Sequence, residues 1–431
     1  MTDKPLRVAI AGLGTVGGGL LKLLTERADL IAERAGQRIE ITAVSARGRN
    51  KDRGVPIGGY AWFDNPAEMA RAAGADVIVE LIGGASGVAA DVADAAILAK
   101  RHLVTANKAL LAARGAQLAA DAEKAGVALG IEAAVAGGIP IIKAMREGLA
   151  GNRIEQVYGI LNGTCNYILS TMRDSGRDFA EVLAEAQALG YAEADPGLDI
   201  DGYDASHKLA ILASLAFGTR VAHDHVHVEG IRHVSALDIR FAEELGYRIK
   251  LLAIARRTDA GIEQRVHACM VPLASPIAHV DGVFNAVVAE GDFVGRTVFE
   301  GRGAGAGPTA SSVAADLIDI AAKRHSPAFG VSASKLRTLQ PAPMAARRGG
   351  YYVRLMVRDL PGVFADIAAA LRDERVSMEA VLQRARAPGE SVPVVMTIHD
   401  TEEAAMMRAV DRIGAIGTVV EPPRVIRIEA F

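Results

Sequence analysis

Residues 188–208 read ALGYAEADPGLDIDGYDASHK and bring together Glu193, Asp195, Asp199, Asp201, Asp204 and Lys208. Pro196, Gly197 and Gly202 interrupt any regular helix across the acidic part. A helix can begin near Asp201 to Asp204, where acids suit a first turn. From such a start Asp204 and Lys208 stand four apart and share one helix face. Two readings are open. One is a solvated acidic loop followed by an ordinary helix pair. The other is a pocket whose acids grip a cationic amino group while Lys208 presents an ammonium as proton donor, kept charged by Asp204.

A second set of residues suits a dinucleotide. Residues 6–11 form an apolar run, a helical pattern follows through Leu20, Leu21, Leu23 and Leu24, and Gly12-Leu13-Gly14-Thr15-Val16-Gly17 lies between. In this strand–turn–helix setting Gly12, Gly14 and Gly17 permit the tight turn, the approach of backbone to a pyrophosphate and close helix packing, with the helix N-terminus facing the phosphates. The next strand, expected over 39–45, ends without the acid that selects NAD. Arg47, Arg49, Lys51 and Arg53 follow instead. Guanidinium groups suit a 2′-phosphate, so NADP(H) is the expected preference, with NAD(H) the alternative.

These residues need a scaffold. Strand-like runs at 75–82, 102–105 and 127–131 alternate with helical stretches at 91–100 and 110–125, the pattern of a doubly wound parallel α/β sheet of Rossmann type over residues 1–137. Ligands bind at the carboxyl ends of such strands, which places Lys108, in Thr105-Ala106-Asn107-Lys108, for cofactor or substrate work. Beyond Pro140 a strand at 157–161 runs into the turn Asn162-Gly163-Thr164. Its donors can hold a carboxylate or carbonyl, or can merely turn the chain. A helix at 178–189, the acidic stretch, a buried helix at 209–217, and strands at 264–272, 283–290 and around Phe293 complete an α+β domain over 138–302, whose sheet serves substrate binding or dimerisation. The Gly-rich loop 301–309 leads into a helix from about Ala310 to Arg324, capped by Thr309 or Ser311, which returns the chain to the cofactor domain over about 303–330. Residues 331–350 hold two prolines and a Gly-Gly pair and read as a linker. Residues 351–431 follow a βαββαβ order, with strands at 351–358, 376–384, 392–399 and within 418–428, a ferredoxin-like module.

The bulk numbers exclude several classes. The chain has 431 residues, half of them hydrophobic and 23% charged, enough for two or three cored domains. A net charge of -3 gives no reason to expect nucleic acid or a membrane surface. There is no uncharged apolar run long enough for a membrane span, and no apolar leader at the N-terminus. Cys165 and Cys269 are too few for a disulfide framework and fit a reducing cytoplasm.

The motifs GLGTVG, TANK, EAAVAGGIP, NGTCNY, LGYAEADPGLDIDGYDASHK and GAGAGPTAS, in that order over roughly residues 5–325, resemble homoserine dehydrogenase. The spelling departs at Ala306-Gly307. The resemblance implies the NAD(P)H-dependent interconversion of L-aspartate 4-semialdehyde and L-homoserine, on the route to threonine, methionine and isoleucine. It implies that Lys208 is the catalytic lysine with Asp204 beside it, and Lys108 a second lysine near substrate and nicotinamide. Glu193 would bind the substrate amino group with Asp199 nearby. Thr15, Val16, Thr105 and Gly305 would touch cofactor. Glu132 and the main-chain oxygens of Val135, Gly137 and Ile139 would hold a monovalent cation, sodium. The turn Asp359-Leu360-Pro361-Gly362 resembles that of an ACT domain, which implies a threonine effector; a homodimer or homotetramer is expected. Two rivals stand beside this: a semialdehyde dehydrogenase using Cys165 as nucleophile, and an ACT-type sensor whose dinucleotide domain has lost catalysis.

Overall fold

A computed structural model describes residues 4–383 and 390–431. Six strands, β1 (Leu6–Ala11), β2 (Ile39–Ser45), β3 (Ala61–Phe63), β4 (Val77–Glu80), β5 (His102–Thr105) and β6 (Leu129–Gly130), form a parallel sheet in the order β3-β2-β1-β4-β5-β6. The inner strands β1 and β4 are mostly apolar because helices cover both faces, with Arg7 in β1 and Glu80 at the end of β4 as the polar positions. The helix Thr15–Glu26 follows β1 directly. A side-chain carbon at Gly12, where φ is +104°, would stand 2.6 Å from the Leu81 carbonyl oxygen, and one at Gly17 2.1 Å from that of Gly12. Only glycine permits this turn. The returning helix Ala306–Ala321 packs against Thr15–Glu26. It begins four residues earlier than expected. Gly305 precedes it without a side-chain cap, and Thr309 and Ser311 lie inside it. Pro308 falls in its first turn, where a missing N–H costs nothing.

The second sheet contains β7 (Ile154–Ile160), β8 (His227–Val228), β9 (Tyr247–Thr258), β10 (Gly261–Pro272), β11 (Phe284–Gly291), β12 (Gly295–Arg302), β13 (Arg348–Arg358), β14 (Met378–Leu382), β15 (Ser391–Glu402) and β16 (Arg424–Ile428). The order is β12-β11-β7-β9-β10-β16-β13-β15-β14, with β8 also on β10. Phe293, expected in a strand, is at the exposed β11–β12 turn. The last four strands carry the expected βαββαβ connectivity, with helices Val363–Asp373 and Glu403–Gly414; Arg384, expected in the second of these strands, lies outside the described residues. This module is not tethered by a loose linker. β16 pairs with β10 through Cys269 and Met270 opposite Arg427 and Ile428, so one sheet runs through both units. Residues 331–350 are packed: Leu336 and Leu339 are buried, and Pro341 and Arg337 bridge to Ile262 and Thr219. Among the described residues no helix is long and apolar enough to cross a membrane.

Candidate active site

The acidic stretch is where the two domains meet. Helix Tyr203–Phe217 starts after Gly202, whose φ of +89° turns the chain into it. One turn of helix, Gly197–Ile200, forms inside the segment that Pro196 and Gly197 were expected to keep irregular. Pro196 stands just before that turn, where its fixed φ is no obstacle. Asp204 lies in the first turn of Tyr203–Phe217 and Lys208 one turn on, both buried. Lys208 Nζ donates to Asp204 Oδ2 and to the Leu161 carbonyl, each at 2.7 Å. Lys108, first residue of helix Lys108–Ala125, reaches Asp204 Oδ1 from the cofactor domain at 3.1 Å. One carboxylate thus bridges two ammonium groups from two domains.

Asn162 ties this pair to the turn after β7. Its Nδ2 donates to Asp204 Oδ2 at 2.9 Å and Asp199 Oδ1 at 2.8 Å, while its Oδ1 accepts from the Cys165 N–H at 2.8 Å and so caps helix Gly163–Ser175. Thr164 Oγ1 donates to the Tyr191 carbonyl at 2.8 Å. A cleft of about 460 Å³ is lined by Lys108, Lys208, Asp199, Asp204, the turn 162–164, Tyr191, Asn285 and the loop 302–305. Burial works against the charge on Asp204, but the ammonium groups of Lys208 and Lys108 outweigh it and hold the carboxyl well below the ordinary range. Burial raises Asp199, and the neighbouring Asp204 adds to this.

The expected residues are not all gathered here. Glu193 is exposed and outside the cleft lining. Thr105 does not aim its side chain at a ligand. Its hydroxyl donates to Glu80 Oε2 at 2.7 Å and accepts from the Asn107 N–H at 3.0 Å, so it fixes the loop carrying Lys108. Glu80 also accepts from the Ile82 and Gly83 N–H groups, and its only signal in the sequence is an acid ending an apolar strand. Asn285 was missed as well. It is buried against the cleft, and its Oδ1 has no hydrogen-bond partner among the described residues; a lone amide in β11 was the available sign. Gly14 and Thr15 lie exposed at the start of Thr15–Glu26, where free N–H groups can meet phosphates. Val16 sits in the same turn. Arg47 is exposed just past β2. Arg53 instead donates to the carbonyls of Arg47, Gly48 and Lys51 and stacks with Arg49 on Trp62, which shapes the loop.

Glu132 lies behind the cofactor loop. Its oxygens accept from the Ile142 and Lys143 N–H groups at 3.1 and 2.8 Å. Burial, and then Asp316, raise its carboxyl to about 7. The turn that follows puts Ala136 and Gly137 in succession at φ of +53° and +48°. The Gly137 carbonyl accepts from Ser312 Oγ at 2.6 Å and the Ile139 carbonyl from the Ile141 N–H at 2.8 Å. A carbonyl or carboxylate oxygen carries a second lone pair, and a carboxylate raised by burial gains from a nearby cation, so Glu132 and the carbonyls of Val135, Gly137 and Ile139 are of a chemical type that suits a monovalent metal ion. His267, Cys269 and Glu429 also lie within 4.8 Å of one another, but Arg265 and Arg347 already pair with Glu429. Cys165 is fully buried, its thiol donates to the Asp199 carbonyl at 3.2 Å, and burial pushes it well up. A thiol in that state is a poor nucleophile.

Comparison with known proteins bears on the whole chain. A family model described as homoserine dehydrogenase matches residues 140–318, and one described as homoserine dehydrogenase, NAD binding domain, matches 12–132. The chain is 45% identical to the homoserine dehydrogenase of Neisseria gonorrhoeae, with 99% of both chains covered. It is also 45% identical to that of Pseudomonas aeruginosa, over 99% of both. The crystal structure of a homoserine dehydrogenase from Thiobacillus denitrificans superposes with a TM-score of 0.94 at 45% identity, again over 99% of both chains. A hyperthermophilic archaeal homoserine dehydrogenase in complex with NADPH superposes with a TM-score of 0.64 at 25% identity, over 74% of this chain and 98% of that one.

Proposed function

The chain belongs to the homoserine dehydrogenase family, an NAD(P)-dependent oxidoreductase of amino-acid biosynthesis acting on a CH–OH group, and on that premise we propose how its own residues interconvert L-aspartate 4-semialdehyde and L-homoserine. The observation that carries the reading is Asp204 paired at once with Lys108 and Lys208 beside the turn 162–164. When bound, the dinucleotide supplies the hydride taken up at the aldehyde carbon. Lys208 gives its proton to the oxygen that becomes negative. Asp204 and the Leu161 carbonyl hold that ammonium and aim it. Lys108 stabilises the same oxygen from the cofactor side. Asp199, in the cleft, receives the substrate's ammonium group, and Asn162, Gly163 and Thr164 its carboxylate; Glu193, exposed outside the cleft lining, is left without that role.

The cofactor reading assigns Gly12, Gly14, Thr15, Val16 and Gly17 to the pyrophosphate, Arg47 to a 2′-phosphate, and Lys108, Gly305 and the Thr105 loop to the nicotinamide end, with NADP(H) preferred. Glu132 with the carbonyls of Val135, Gly137 and Ile139 would hold sodium and so stiffen the turn that packs on the loop 302–305, where a side-chain carbon on Gly137 would stand 2.4 Å from the Gly303 carbonyl oxygen. The ferredoxin-like module is assigned as an ACT domain that senses threonine, the distant product. Its sheet order, β16-β13-β15-β14, and the turn 359–362 support this. The enzyme is assigned to the cytoplasm as a homodimer or homotetramer, and its two buried free cysteines suit a reducing compartment.

The test is NADPH oxidation with L-aspartate 4-semialdehyde, with and without millimolar threonine, and then with NADH. Turnover, inhibition by threonine and an efficiency with NADPH about tenfold above NADH are expected. Equal efficiencies would remove the role of Arg47. No effect of threonine on rate or melting temperature would leave the module an assembly element.

A further inference from the structure

The acidic loop is held from behind by a short ribbon, residues 227–232. β8 lies on β10, and the Glu229 N–H donates to the Val266 carbonyl at 2.7 Å. The Ile231 N–H donates to the Ile200 carbonyl at 2.9 Å, and Ile231 is fully buried. Gly230 passes so close that a side-chain carbon would stand 2.2 Å from the same carbonyl oxygen and 2.6 Å from Asp201 Cα. Arg232 Nη2 donates to Asp201 Oδ2 at 2.9 Å. Ile200 and Asp201 lie directly between Asp199 and the Gly202 turn that opens the helix of Asp204 and Lys208.

The other end of the ribbon reaches the C-terminal module. Arg427 on β16 donates through Nη1 to Glu229 Oε2 at 2.8 Å and through Nη2 to Glu229 Oε1 at 2.9 Å. This two-pronged geometry fixes orientation as well as distance. The same guanidinium is anchored on buried Glu403 at the start of helix Glu403–Gly414. His227 Nε2 contacts Glu229 Oε1 at 2.7 Å. The path Glu403–Arg427–Glu229–Ile231–Ile200 is therefore continuous through hydrogen bonds and adjacent backbone.

We propose that Glu229 and Arg232 are positioning residues for the substrate half of the site, and that Arg427 of the ferredoxin-like module sets Glu229 and thereby the placement of Asp199 and Asp204. This rests on assigning the acidic loop to the amino-acid substrate. It differs from a plain packing role in what it leaves alone: the dinucleotide loops lie on the other domain and share no residue with the ribbon.

The experiment compares Glu229→Gln, Arg232→Gln, Arg427→Lys and Glu229→Gln/Arg427→Lys in the full-length enzyme by steady-state kinetics in both substrates. Expected are an approximately tenfold loss of kcat/KM for L-homoserine, a dinucleotide KM within about twofold of wild type, and a double variant no worse than Glu229→Gln alone. Glu229→Asp, which keeps the charge, should recover part of the loss. Unchanged homoserine constants in Glu229→Gln would overturn the proposal. So would a parallel rise in both KM values, or single losses that multiply in the double variant. If Glu229→Gln fails to fold, Arg232→Gln, on the exposed side, decides by the same criteria. A wild type inactive toward homoserine would strike the assignment of the site itself; an active wild type with unmoved variants strikes only this link.

Discussion

Asp204 faces two ammonium groups, and substitution can separate their work. Lys208 is buried, fixed by the Leu161 carbonyl and Asp204, whereas Lys108 is 40% exposed and pairs with the other carboxylate oxygen. A fixed donor suits proton transfer, since the geometry is set before the charge develops. Lys208→Ala should lower kcat by on the order of a hundredfold or more while dinucleotide binding is retained. Near-normal kcat in that variant would move proton transfer to Lys108. The pH profile gives a second view of the same residue. Reduction consumes a proton through this residue and alcohol oxidation releases one, so oxidation should gain on reduction as pH rises. Flat profiles in both directions would count against a lysine acid.

At the scale of elements, the turn after β6 couples the cofactor sheet to the α+β domain, and Glu132 makes it sensitive to pH. Its carboxyl is raised from an ordinary 4.5 to about 7, so the folded state holds its proton more tightly than the unfolded chain. Stability from this group therefore falls as pH climbs from 4.5 to about 7, and the penalty is complete above that. A cation held at the turn, as proposed, would offset this penalty. Sodium, compared with tetramethylammonium at equal ionic strength, should raise the melting temperature more at about pH 8 than at about pH 5, and Glu132→Gln should erase the difference. Equal melting temperatures in the two salts at the higher pH would remove the cation from this turn. Elements of this kind were legible wherever the signal is local. The glycine spacing after β1 and the apolar run of β5 marked their positions closely. β9 escaped, because Arg248, Lys250, Arg256 and Arg257 break its apolar pattern. Lys250 is nonetheless buried, with Asp281, Asn166 and the Val280 carbonyl as partners that no local window contains. The bridge of Lys108 to Asp204 joins two separately legible motifs, but the distance between them comes only from domain packing. Residues 331–350 looked like a tether because burial of Leu336 and Leu339 depends on surfaces far away in the chain.

At the scale of the whole molecule, the pairing of β10 with β16 makes the C-terminal module a continuation of the α+β sheet. The join is ionic as well as backbone. Glu429 is buried and accepts from Arg265 of β10 at 2.7 Å and from Arg347 at 2.7 Å. Burial opposes its charge, but Arg265 and Arg347 outweigh it and hold the carboxyl at about 2. Arg265 and Arg347 are themselves 1% exposed, so loss of that one carboxylate leaves two guanidinium groups buried without it. Breaking a buried pair from one side costs about 3–5 kcal/mol, much more than the pair contributes over an apolar substitute. The module has a core of its own in Tyr351, Val353, Leu355 and Ile367, while Tyr352, Val395 and Ile426 pack on the α+β side. The wild type should therefore unfold the α+β domain and the module in one calorimetric transition, and proteases should not release the module through 331–350. Glu429→Gln should split that transition, with the module melting first and becoming cleavable at the connecting segment. Two transitions already present in the wild type, or a single unshifted one in Glu429→Gln, would show that the sheet is continuous without being cooperative.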